Sequence, residues 1–127
     1  MKKDIYTMNK EGSSYNTDKK TEMRVLADQV MEQLPAILQK YEMEMDEWQL
    51  YKLDLHIHAM ARRSLSGDIL ADFDKSPFEG ISQQSLDMAR EVAALFGELP
   101  HEEILLLSLY FEYVLDPSRR PYGRLMT

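Results

Sequence analysis

The sequence predicts an all-α bundle of four helices without a β-sheet, on three observations. Apolar residues recur every three to four positions from Met23 to Tyr41 and again from Leu50 to Ala61. Two helix starts carry capping signatures, at Asp46 and Ser82. The links between the periodic segments are short and hold the glycines and prolines that end helices, among them Gly67, Gly97 and Pro117.

The first helix is expected near residues 20–41, with Met23, Ala27, Val30, Leu34 and Leu38 on one face. Pro35 lies inside it and should kink it, since proline cannot return a hydrogen bond to Met31. The second is expected near 47–64. Asp46 and Gln49 form a capping box there, and Met45 and Leu50 stand where a hydrophobic staple would place them. The stretch "GDILADFDKSPFEG" reads as a connection with little regular structure. The third helix is expected near 83–96, capped by Ser82 and stapled by Ile81 and Leu86, with Ala89, Val92 and Phe96 continuing its face. The fourth is expected near 100–115, with Pro100 in its first turn and Glu102 and Glu103 at the positive end of its dipole. Its run "ILLLSLYFEYVL" has high β-propensity, but its length and its Pro-Glu-Glu opening favour a buried helix.

These elements make one domain over residues 19–116, preceded by a polar, flexible arm over 1–18 and followed by a basic tail over 117–127. The chain has 127 residues and no cysteine, which excludes a disulfide framework and a thiolate metal cluster and fits a cytoplasmic protein. No secretory signal is expected from "MKKDIYTMNKEGSSYN", and the longest apolar run, Ile104 to Leu107, is too short to cross a membrane. Charge is unevenly spread. Residues 25–116 hold 18 acidic against 6 basic side chains, a net −12, while the two ends are basic. So acidic a body repels phosphate backbones, and direct nucleic-acid binding is not expected.

The stretch "LDLHIHAMARRSLSGDIL", residues 53 to 70, carries the candidate chemistry. On a strand its H-x-H would suit a metal. On the second helix His56 and His58 point about 160° apart, which excludes chelation of one ion. The same helix is apolar on two arcs, one of Leu50, Leu53, Ile57, Met60 and Ala61, the other of Trp48, Tyr51, Leu55 and Ala59. That pattern describes a central helix packed between neighbours. Gln49, Lys52, His56 and Arg63 share the polar arc between them. His56 and Arg63 fall within roughly 20° and about two turns of one another, and Lys52 is one turn before His56. Nearby cations disfavour protonation of His56 and would stabilise a phosphoryl group placed on it. The plainer reading is a polar contact between helices.

"HIHAMARRSLSGDIL" resembles the signature of the PTS regulation domain (PRD), in which a histidine opens a H-[IL]-x-φ-x-φ-x-R-x-x-x-G run, φ being apolar. His56, Ile57, Ala59, Ala61, Arg63 and Gly67 occupy those places. "SLDMAREVAALFGELPHEEILLLSLYFEYV" is similar to the closing helix pair of that family, with Ala89, Pro100, Glu103 and Ile104 at the matching positions. The resemblance spans roughly residues 20–115. It implies a bundle of two antiparallel helix pairs, commonly dimeric, regulated by phosphorylation of His56 from HPr or a sugar-specific phosphotransferase component, with control of carbohydrate-utilisation genes as the outcome. Arg63 and Lys52 would be the phosphate-stabilising cations. Four departures stand out: Tyr110 occupies the place of the second phospho-accepting histidine, Leu55 that of the usual aspartate, the link after the second helix is short for the family's third helix, and no nucleic-acid-binding domain is expected beside the module.

Three functions are open on this basis. A phospho-acceptor requires His56 partly exposed, with Arg63 and Lys52 close by. An interaction module would keep the fold without the chemistry. An enzyme is disfavoured, because no nucleophile–base spacing, phosphate loop or ligand set supports one. No metal or other cofactor is expected, and a homodimer is, partly because the second and fourth helices carry more apolar surface than one small bundle hides.

Overall fold

The computed structural model describes residues 11–118, and among them the secondary structure is helical throughout, without strands. The helices are α1 (Glu11–Lys40), α2 (Glu47–Ser66), α3 (Gln83–Ala94) and α4 (His101–Leu115), with a 3-10 turn at Ser76–Phe78. Most of the expected arm, and all but the first two residues of the expected basic tail, lie outside the described residues.

Each boundary has a local cause. The Asp46 carboxylate accepts the Gln49 amide at 2.7 Å and the Gln49 side chain accepts the Asp46 amide at 2.8 Å, closing the capping box that starts α2. Gly67, at φ 80°, ends α2 by donating to the Arg63 carbonyl, and only glycine takes that conformation without strain. Ser82 caps α3 through the Ser85 amide. Pro100 stands just before α4 rather than within it. Pro35 is exposed on α1, which runs on as one helix through it.

α1 begins nine residues before its expected start. The segment 11–19 has no apolar period, so pattern gives no sign of a helix there. Extension from an established helix adds one hydrogen bond per residue fixed, which lets a polar segment follow a packed one. Lys19 also donates to the Leu65 carbonyl at 3.5 Å, placing a cation on the unsatisfied C-terminal end of α2.

The six-residue links 41–46 and 95–100 make α1 and α2, and α3 and α4, antiparallel pairs. α1 packs chiefly on α2 and α3 on α4, and the pairs meet through α1–α3 and α2–α4 contacts. Between them lies one apolar core, built around Leu34, Leu53, Ile57, Met88, Leu107 and Phe111, all 1% exposed or less. Burying side chains of this size stabilises by roughly 1.5–3 kcal/mol each before the entropy cost of ordering them.

Two sequence expectations need correction. On α3 the buried face includes Ser85 rather than Leu86, which is half-buried. A hydroxyl goes inside there because it finds a buried carboxylate, described below. On α2 only one of the two apolar arcs is covered. Leu53, Ile57, Met60 and Ala61 are buried, whereas Trp48, Tyr51 and Leu55 are 62, 53 and 54% exposed. Hence α2 is not sandwiched between neighbours. A four-helix bundle of this size supplies a partner for the core side of α2 and, through α4, for its polar arc, but none for the far side.

Candidate functional site

The polar arc of α2 faces α4. His56 and Tyr110 meet there, their ring centroids 4.8 Å apart and tilted by 34°. Arg63, two turns further on, donates from Nε at 2.6 Å and from Nη2 at 2.8 Å to the two carboxylate oxygens of Glu103. This is a fork-to-fork pair, and Glu103 is 1% exposed. Glu103 was expected at the helix dipole. It stands there, in the first turn of α4, and serves also as the buried counterion of Arg63, because that place faces the α2–α4 seam.

His56 is half-buried, partly exposed as the phospho-acceptor reading requires, with one ring nitrogen enclosed. Its Nε2 is buried without a hydrogen-bond partner among the described residues. Loss of solvation, and secondarily the charge of Arg63, push its pKa down to about 4, so the ring is neutral at physiological pH. Burial also raises the Tyr110 hydroxyl above its ordinary value. Two positions that the resemblance implies as acceptors, His56 and Tyr110, are therefore brought into contact across 54 residues of chain.

Lys52 is engaged elsewhere: its ammonium lies 5.5 Å from the Trp48 ring centroid, a cation–π contact on the exposed face of α2. His58 turns its Nδ1 to Asp54, 2.9 Å from the carbonyl oxygen and 3.1 Å from the carboxylate. His101 is exposed at the start of α4. Among the described residues no group of three or more His, Cys, Asp or Glu could hold a metal ion, and no helix is long and apolar enough to cross a membrane.

A second polar cluster escaped the sequence reading. The Glu112 carboxylate, buried in α4, accepts from the Ser82 amide at 3.1 Å, the Ser82 hydroxyl at 2.9 Å and the Ser85 hydroxyl at 2.8 Å. An anion at the N-terminus of α3 also meets the positive end of its dipole. The sequence does hold a signal for it: a lone glutamate inside "LLLSLYFEYVL" must find donors if that helix is buried. A shallow groove of about 370 Å³ is lined by Ile69, Leu70, Asp72, Pro100 and Glu102 and includes none of the candidate residues.

Chemically, the α2–α4 seam offers a neutral, half-buried imidazole beside a guanidinium that is already neutralised. Such a pair suits helix registration more readily than group transfer, since Nε2 is enclosed and the cation already has a buried counterion. No family model, curated protein or solved structure matches this chain.

Proposed function

We propose that the chain is a non-catalytic helical interaction module of the PRD type, working in the cytoplasm through protein–protein contact and not through phosphate carried on His56. The observation that supports this most is the state of Arg63. Its Nε and Nη2 each donate to Glu103, so the guanidinium charge is already neutralised and a phosphate on His56 would compete for it with a buried carboxylate. The surface is consistent with the same reading, since α2 turns Trp48, Tyr51 and Leu55 outward, and exposed apolar clusters of this kind serve contact.

A second reading, phosphoryl acceptance by His56 from HPr or a sugar-specific phosphotransferase component, is favoured by one observation. The imidazole is held unprotonated, with its pKa at about 4, as an attacking nitrogen requires. Nε2 is enclosed, so a donor reaching that nitrogen requires the seam to open there. Incubation with phosphoenolpyruvate, enzyme I and HPr, followed by intact mass, separates the two. The interaction reading expects no added phosphate on the wild type. Label on the wild type that is lost in His56→Ala establishes the acceptor reading, with at most one phosphate per chain because Tyr110 stands at the second position.

A further inference from the structure

The uncovered face of α2 has an internal order that identifies its occupant. Trp48, Tyr51, Leu55, Ala59 and Arg62 fall within about 80° of arc, at successive spacings of three or four residues. The three large apolar members are each more than half exposed, and Arg62 is exposed as well. Trp48 and Tyr51 are already stacked, with centroids 5.6 Å apart and planes 24° from parallel, so little side-chain freedom is left to lose on docking. Bulk sits at the N-terminal end of the stripe, with Glu47 beside it. The C-terminal end has a small residue, Ala59, and a cation, Arg62.

We propose that this face binds the same face of a second copy of the chain, antiparallel, about a two-fold axis at Leu55. The proposal rests on the interaction-module reading and names its partner. In this register Leu55 meets its own counterpart, each Tyr51 ring lies over the partner's small Ala59, and each Trp48 receives the partner's Arg62. Arg62 thereby lies along the edge of the Trp48–Tyr51 stack and gains a nearby opposite charge in Glu47. The two helix dipoles oppose one another favourably. A parallel pairing has none of these features: it sets Arg62 against Arg62 and large rings against large rings. The arrangement is isologous and closes as a dimer.

The test uses the full chain. Wild-type protein at tens of micromolar is expected to sediment as a dimer, and Leu55→Asp as a monomer with an unchanged far-ultraviolet helical spectrum. Because the chain has no cysteine, a single introduced thiol reports on register. Leu55→Cys lies on the two-fold axis and should form an intermolecular disulfide within the dimer on mild oxidation. Trp48→Cys lies about 20 Å from its own copy in this register and should not, whereas a mixture of Trp48→Cys and Arg62→Cys chains should cross-link to each other. A monomeric wild type, or Trp48→Cys self-linking as fast as Leu55→Cys, overturns the proposal. A monomer would leave the interaction-module reading standing with a foreign partner. Phosphate on His56 would instead overturn that reading without dissolving the dimer.

Discussion

Arg63 and Glu103, forty residues apart, share two charge-assisted hydrogen bonds across the seam between α2 and α4, with the carboxylate almost wholly enclosed. Removing one partner from such a pair strands the other, which costs far more than the pair contributes. Arg63→Ala is therefore expected to lower unfolding stability by about 3–5 kcal/mol. Replacing both, as Arg63→Met with Glu103→Leu, should recover most of that loss. Urea titrations of the two single variants and the double variant measure the coupling directly.

His56 makes stability depend on pH. Its pKa is about 4 in the folded chain against an ordinary value near 6.5 in the unfolded one. Between these values the unfolded state binds the extra proton, so stability rises with pH through this window. The contribution is fully present above about pH 6.5 and is lost as pH falls toward 4, on the order of 2–3 kcal/mol in all. His56→Phe keeps a ring against Tyr110 and removes both the titration and the unpartnered nitrogen. At pH 7 it should cost less than about 1 kcal/mol. Stability of wild type and variant, measured at steps from pH 7 to 4, should diverge by the stated amount, and parallel curves would count against this account.

The sequence makes the fold legible wherever the signal is local. The Asp46–Gln49 box, the Gly67 stop and the Ser82 cap each depend on residues within four positions of one another, and each stands where the sequence puts it. The strand-like run in α4 resolves to helix because its ends, and not its propensity, decide. What escapes is whatever depends on a distant partner. The partner of Arg63 lies forty positions away and those of Glu112 about thirty, so their burial follows only from how α4 docks. The exposed face of α2 escapes for the opposite reason. Apolar periodicity marks a side chain that is suited to burial, and it does not say whether this chain or another provides the cover.

The Glu112 cluster should behave as a structural cap for α3. Glu112→Leu leaves the Ser82 amide and the two serine hydroxyls buried without this acceptor, at a cost of roughly 2–4 kcal/mol. Glu112→Gln retains a carbonyl oxygen for the same donors and should cost about half as much or less. Thermal melts that rank the variants equally would show that charge, and not acceptance, is what the cluster uses.

The far end of the bundle holds its own reporter. The Tyr41 hydroxyl, just past α1, donates to the Glu91 carboxylate on α3, and Lys40 donates to the same oxygen at 3.0 Å. Tyr41 is pushed up to about 12, first by that hydrogen bond, then by desolvation and by the charges of Glu91 and Asp87. Glu91 is lowered in turn, chiefly by the Tyr41 hydroxyl and then by Lys40. Ionising the phenol would break its donation and set two anions against each other. In an alkaline titration followed by phenolate absorbance, one tyrosine should therefore ionise well after the ordinary range, at about 12. Glu91→Gln removes the charge and the strong acceptor together, and should return that tyrosine toward 10. Tyr41→Phe should delete the late step and leave the others in place. A late step that survives Tyr41→Phe belongs to another tyrosine, with Tyr110, raised by burial, the next to examine.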